Sequence, residues 1–243
     1  MGPVELAAKL VEQLAVVATE ERRTGMLNYF STEMPIIGVT VPDLRTLVKA
    51  TRLDLRKAGP AYVIDVALAL VEGGTFEGRQ VGYELVAGHK ATMASLTPEQ
   101  LEKLGQGNDN WASVDTFSCL ITGILWLHGR LADSVFENWV RSNNLWWRRT
   151  AVVSTTPLNQ KSKGGTGDFR RTLAMVGPVQ HEKHPMIWKA VSWALRNLVQ
   201  WDKNRVTAYV DAHENVLPAA VKREVRKKIE TGVKNPQKDL GGA

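Results

Sequence analysis

Apolar residues recur at three- and four-residue spacing along almost the whole chain, and no segment alternates apolar with polar residues in the manner of a half-buried strand. The pattern predicts about ten to twelve helices. The first covers residues 3–23, with Leu6, Leu10, Leu14 and Val17 along one stripe. After a loop over 34–42, helices are predicted over 43–58, 60–72 and 77–94, punctuated by Gly59-Pro60 and Gly73-Gly74. Thr97-Pro98-Glu99-Gln100 has the spacing of a capping box with proline at the first helical position, and opens a short helix ending near 105–107. Helices follow over 110–127, 132–141 and 145–155. Beyond an interruption at 157–168, four more are predicted over 169–176, 185–200, 205–213 and 218–231. Residues 1–232 read as one domain, and 233–243, with its Lys, Gly and Pro, as a frayed tail. Short helices with short connectors and no single long amphipathic partner predict an all-α fold: an α-solenoid of stacked antiparallel helix pairs, the repeats divergent and without a fixed period.

Composition narrows the class. With 44% hydrophobic and 23% charged residues in 243, the chain is long enough to bury a core, which excludes disordered and fibrous classes. One cysteine, Cys119, cannot form an intramolecular disulfide, a cysteine zinc site or an iron–sulfur cluster, and fits a reducing, cytoplasmic compartment. No apolar run of about 18 residues occurs, and the N-terminal stretch carries Glu5, Glu12, Glu20 and Glu21, so neither export nor membrane insertion is expected.

Two distributions are more informative than the totals. Residues 1–140 hold 12 Lys+Arg against 17 Asp+Glu, whereas residues 141–243 hold 19 against 8, so the net +6 belongs to the C-terminal part. All eight tryptophans fall between Trp111 and Trp201. A basic, tryptophan-rich half suits a polyanion whose bases can meet indole rings; it equally suits a well-packed core beside a solvated basic face.

Candidate chemistry lies on two helices. Over 110–127, Trp111, Asp115, Ser118 and Thr122 project to one side, an indole, a carboxylate and two hydroxyls, while Leu120, Ile124 and Leu127 lie opposite as candidate core. Over 185–200, Lys189, Trp193, Arg196, Asn197 and Gln200 share a side opposite Ile187, Trp188, Val191, Leu195 and Leu198. Trp188 is thus assigned to the core. Trp193 either stacks on a nucleic acid or is covered by its cationic neighbours. Trp146-Trp147-Arg148-Arg149 points in four directions, so at least one tryptophan and one arginine serve packing, and the wheel does not separate Arg148 from Arg149. The run 160–167, with Lys161, Lys163 and three glycines, reads as a flexible basic loop offering backbone N–H groups to phosphate, or as plain surface. It lacks a P-loop ending, and His181-Glu182-Lys183-His184 lacks the zincin spacing, so no metal or cofactor is expected. A lone carboxylate beside tryptophans suits a reaction through an oxocarbenium-like state, such as cleavage of an N-glycosidic bond, and indole faces attract cationic alkylpurines.

Four segments in order resemble the AlkD-like family of bacterial DNA alkylation repair enzymes: Gly38-Val39-Thr40-Val41-Pro42 followed by Leu44-Arg45, Trp111-Ala112-Ser113-Val114-Asp115, 144–151 around Trp146-Trp147-Arg148-Arg149, and 188–196 around Trp193. The resemblance spans roughly residues 10–230. It implies HEAT-like helical repeats with a concave, basic DNA-binding face, and glycosylase activity on cationic 3-alkyl and 7-alkyl purines. It also implies that the lesion stays in the duplex instead of being extruded. By position it gives Asp115 as the catalytic aspartate, Trp111 and Trp193 as the lesion-side tryptophans and Arg149 as the active-site arginine. The Gly-rich stretch 157–168 departs from the family pattern.

The sequence therefore predicts a monofunctional alkylpurine DNA glycosylase, monomeric, cytoplasmic and associated with the nucleoid, acting on alkylated double-stranded DNA. Asp115, Trp111 and Trp193 would carry the chemistry, and Arg149, Arg148, Lys189, Arg196, Lys161 and Lys163 the DNA contacts. A non-catalytic HEAT-like protein that binds distorted DNA and a protein-interaction scaffold are the two rivals; salt-dependent duplex binding separates the second.

Overall fold

The computed structural model describes residues 1–233; the tail expected to fray lies, but for Val233, outside the described residues. The chain is all-α, with no strand among the described residues, and it divides into two compact units, the first Met1–Leu131 and the second beginning at Ala132.

In the first unit the helices are α1 (Pro3–Val16), α2 (Glu20–Tyr29), α3 (Val41–Asp54), α4 (Pro60–Glu72), α5 (Phe76–Gly88), α6 (Lys90–Ser95), α7 (Pro98–Gly105), α8 (Trp111–Phe117) and α9 (Gly123–Leu127). Their starts are written locally. Thr19, Thr40, Thr75, Thr97 and Asn110 each accept a backbone N–H of the first turn, and prolines occupy first-turn positions of α1, α3, α4 and α7. The expected capping box at Thr97 and Gln100 is present. Helix α4 packs between α1 and α5, with α3 against α5. Their shared core includes Leu10, Leu14, Val48, Val63, Val66, Leu70, Val81 and Leu85.

Two expected helices are each divided. The one over 3–23 breaks before Thr19, whose N–H donates to Gly38 O at 2.9 Å while its hydroxyl caps α2. That over 77–94 breaks at His89, whose Nδ1 accepts the Thr92 N–H at 3.2 Å and restarts the chain as α6.

One buried side chain organises the N-terminal loop. Glu77 is 1% exposed, and its carboxylate accepts the N–H groups of Ile37 (2.9 Å), Gly38 (2.8 Å) and Val39 (3.2 Å). Gly38 has φ +99°, and a Cβ there would stand 2.6 Å from Thr19 O and 2.8 Å from Arg23 Cβ, so only glycine fits.

Helices α8 and α9 are joined by a π-helical turn over Ser118–Thr122, closed by the Gly123 N–H donating to Ser118 O. The buried side differs from the one expected. Val114, Phe117, Ile121, Leu125 and Trp126 form the core, and Ser118 and Thr122 are fully buried with them, whereas Leu120, Ile124 and Leu127 are half-buried. Ser118 enters the interior because its hydroxyl donates to Val114 O at 2.7 Å one turn back, so its polarity does not require water.

The second unit comprises α10 (Asp133–Val140), α11 (Leu145–Val153), α12 (Thr156–Asn159), α13 (Phe169–Val176), α14 (Pro185–Leu198), α15 (Lys203–Ala212) and α16 (Ala219–Thr231). Successive helices pack α10 on α11, α11 on α14 and α14 on α16.

Glu77→Gln keeps the side-chain volume but turns one acceptor into a donor among three N–H groups; a stability loss of about 1–3 kcal/mol is expected in urea unfolding with an unchanged m-value. Gly38→Ala is expected to lose at least as much, through both the positive φ and the clash.

Candidate DNA-contacting and catalytic residues

Asp109 and Asn110 fix the start of α8. Asp109 accepts the Thr32 hydroxyl at 2.6 Å and the Glu33 N–H at 2.5 Å, and Asn110, fully buried, accepts the Ser113 N–H at 2.9 Å and donates to Asp109 at 3.0 Å. The loop before α3 is thereby tied to the helix that carries Trp111. The Trp111 ring meets Tyr29 edge-on at 5.3 Å and Phe30 at 6.1 Å, and packs with Ala112 on a cluster of Met26, Phe30, Met34, Ile36 and Phe76. The ring is half-buried. Asp115, also half-buried, follows one helical turn later, so an indole and a carboxylate stand in sequence on one helix. Tyr29, 71% exposed, joins them through its contact with Trp111. Nothing in the sequence singled it out, because it lies between the helix predicted over 3–23 and the loop predicted over 34–42 and reaches Trp111 from the end of α2.

In the second unit the six candidate cations separate into two kinds. Arg148 is engaged by the protein: Nε and Nη2 donate to the two Glu182 oxygens at 3.0 and 3.1 Å, and Nη1 to Ser142 O and Asn143 O at 2.9 and 3.0 Å. Four of its five N–H groups are thus used. Arg149 is 4% exposed, and its Nη1 donates to Met186 O, which binds α11 to the start of α14. Arg196, with its side chain 11% exposed, donates from Nε to Ser192 Oγ at 3.1 Å and lies 3.7 Å from Glu224, which also accepts the Ser192 hydroxyl. Burial lowers the Arg196 pKa and the Glu224 charge opposes that shift. The three lysines differ. Lys189, Lys161 and Lys163 are exposed, with Lys189 5.8 Å from the Trp188 ring and Lys161 5.0 Å from the Trp201 ring.

Trp193 is half-buried on the side of α14 shared with Lys189, Arg196 and Asn197, as the helical wheel predicts. Trp188 corrects the wheel: it is half-exposed in the first turn of α14. The core side of that helix is formed by Ile187, Ala190, Val191, Ala194, Leu195 and Leu198. Of the tryptophan pair, Trp147 packs at a tilt against buried Trp139, ring centroids 4.8 Å apart, and so serves packing.

The stretch 157–168 is not a flexible loop. Pro157, Leu158 and Asn159 are buried, and the N–H groups of Lys163, Gly164, Gly165, Thr166 and Gly167 all donate to chain carbonyls between Leu158 and Lys161. They are therefore not available to cradle phosphate. Gly167 takes φ +83°, and a Cβ on it would lie 2.5 Å from the Trp201 ring, whose Nε1 donates to Asn159 O at 2.9 Å. What the stretch presents outward is the pair of ammonium groups on Lys161 and Lys163.

No group of His, Cys, Asp and Glu suited to a metal occurs among the described residues, and none of the described helices is long and apolar enough to cross a membrane. The comparisons with known proteins agree in direction. The family model for DNA alkylation repair enzymes matches residues 10–229. A solved structure described as a predicted DNA alkylation repair enzyme from Enterococcus faecalis superposes with a TM-score of 0.73 at 18% identity, over 88% of this chain and 97% of its own. No curated protein matches the sequence.

The division of the cations has a measurable consequence. Arg148→Ala leaves a largely buried Glu182 without its bidentate partner and is expected to cost about 2–3 kcal/mol in urea unfolding. Lys189→Ala is expected to stay within about 0.5 kcal/mol of the parent. Equal effects of the two would contradict the division.

Proposed function

Because the chain belongs to the family of DNA alkylation repair enzymes, we propose that it is a monofunctional DNA glycosylase that hydrolyses the N-glycosidic bond of purines carrying a positive charge from alkylation at N3 or N7. The observation that carries this reading is Asp115, half-buried one turn beyond a Trp111 whose ring is seated edge-on against Tyr29 and Phe30.

The chemistry needs little more. Alkylation has already made the purine cationic, so when the bond to C1′ breaks, the electron pair leaves with a base that departs neutral. No general acid is required to protonate it. The difficulty is the cation left on the sugar, and a preorganised carboxylate answers it: Asp115 stabilises the oxocarbenium-like carbon and orients a water towards it, the water proton passing to the carboxylate or to solvent. The indole of Trp111 supplies an electron-rich face towards the same positive charge. Trp193 offers a second indole to the DNA, and Lys189, Lys161 and Lys163 approach backbone phosphates. Arg148, Arg149 and Arg196 act indirectly in this reading, by holding the segments that present those groups. The lesion remains in the duplex, so no extrusion pocket is needed. No lysine is assigned as a Schiff-base nucleophile, and the product is an intact strand with an abasic site.

Single-turnover release of 7-methylguanine from methylated duplex is expected to fall by about two orders of magnitude or more in Asp115→Asn, with duplex affinity retained. A near-parental rate in that variant would sink the assignment, and tight binding to lesion DNA without any base release by the parent would favour a pure binder. Plain-duplex affinity should fall steeply with salt, and Lys189→Gln should reduce the slope of log K against log salt by about one.

A further inference from the structure

A second cationic feature lies in the first unit, on residues that the proposed chemistry does not use. Where the end of α3, the start of α4, the end of α5 and α6 meet, a cavity of about 400 Å³ opens over an apolar floor that includes Leu55 and Leu85, both buried. Arg52, Arg56, His89 and Lys90 line it. Its size is within the range of small-molecule sites, and the combination of an apolar floor with convergent polar groups is what such sites share.

The charges around it are poorly compensated. Arg52 has only Glu84, at 3.9 Å, and Glu84 is also paired with Arg45 at 3.4 Å. Among the described residues, Arg56 and Lys90 have no carboxylate within 4.0 Å. Arg52 is held in place: Nη2 donates to Glu84 O, Nε is buried without an acceptor, and the group lies over Gly88, where a Cβ would fall 2.1 Å from Nε. His89, whose Nδ1 lies 3.2 Å from the Thr92 N and 2.7 Å from its hydroxyl, adds an imidazole to the lining. Three cations beside an imidazole match the charge and the terminal oxygens of a phosphate monoester better than the two oxygens of a carboxylate.

We infer that this cavity binds a nucleoside phosphate, with the phosphate on Arg52, Arg56 and Lys90 and the base or sugar against Leu55 and Leu85. The same chemistry has two sources, a free nucleotide and a nucleotide of a DNA strand. The site shares no residue with Trp111 and Asp115, so its failure would leave the glycosylase reading standing, and the converse holds.

Calorimetric titration of the full chain with deoxyadenosine monophosphate, deoxyadenosine and inorganic phosphate tests it. The nucleotide is expected to bind at least about tenfold more tightly than either part, and the double variant Arg56→Gln/Lys90→Gln, on two exposed positions, is expected to lose about tenfold or more with an unchanged thermal melt. The source is read from plain duplex. If the double variant also weakens duplex binding and the nucleotide displaces duplex, the strand supplies the phosphate; unchanged duplex affinity assigns the free nucleotide. A nucleotide that binds no better than its parts, or that is indifferent to the double variant, overturns the inference.

Discussion

A carboxylate sealed in a protein interior is expensive unless its charge is met, and Glu77 is met by backbone alone: three successive N–H groups from Ile37, Gly38 and Val39. Much of the first unit follows from that arrangement. Once the segment is fixed, Gly38 O receives the Thr19 N–H, which sets where α1 ends and α2 begins. The residue before Glu77, Phe76, donates its N–H to Pro35 O at 3.0 Å and places its ring with Phe30, Met34 and Ile36. Trp111 leans on that cluster. The orientation of the candidate indole is therefore governed by a carboxylate that does not touch it, through a loop that has no regular structure of its own.

The second unit uses charge in a related way. Its surplus of cations suited, in the sequence, either a polyanion or a solvated basic face, and the three candidate arginines work largely as braces. Arg148 clamps Glu182 and two carbonyls, Arg149 reaches Met186 O, and Arg196 shares Glu224 with Ser192. A guanidinium can satisfy several fixed acceptors at once because its donors form a planar fork, whereas an ammonium is a compact point charge on a flexible stem. Of the six candidate cations, the exposed ones are Lys161, Lys163 and Lys189. Net charge alone could not show this, because it counts a neutralised arginine and a free lysine alike.

The same distinction explains what could be read from the sequence. Helix starts were legible because caps and first-turn prolines act within four residues: α4 begins at Pro60 and ends at Glu72 as expected, and α7 carries its capping box. The breaks at Thr19 and His89 were not, since the first depends on a carbonyl at Gly38 and the second on a histidine acting as a cap. The side of α8 and α9 that is buried was misread because a serine hydroxyl satisfied by Val114 O behaves as an interior group. Glycines near Lys163 suggested mobility, but Gly167 is there to let the chain pass close to the Trp201 ring. Trp111 and Trp193 stood out in the sequence as large aromatics on the polar side of a helical wheel, and the resemblance gave Asp115 its candidate role; Tyr29 needed the fold to bring it beside Trp111.

The charge balance of the two units bears on the proposed chemistry itself. The first unit, with Asp115, holds 12 Lys+Arg against 15 Asp+Glu, whereas residues from Ala132 onward hold 19 against 10. A negative surrounding lowers the energy of a sugar cation, but it also repels the phosphates that bring the sugar near. One uniformly charged surface cannot serve both needs. In the proposed reading the carboxylate belongs to a unit of net negative charge and the exposed lysines to one of net positive charge, so the two needs would be met by different parts of the chain. If the proposed roles hold, raising salt would weaken the hold on DNA, through exposed lysines that counterions screen readily, more than it would weaken a half-buried aspartate acting at contact distance. Affinity and the chemical step should therefore respond to ionic strength to different degrees.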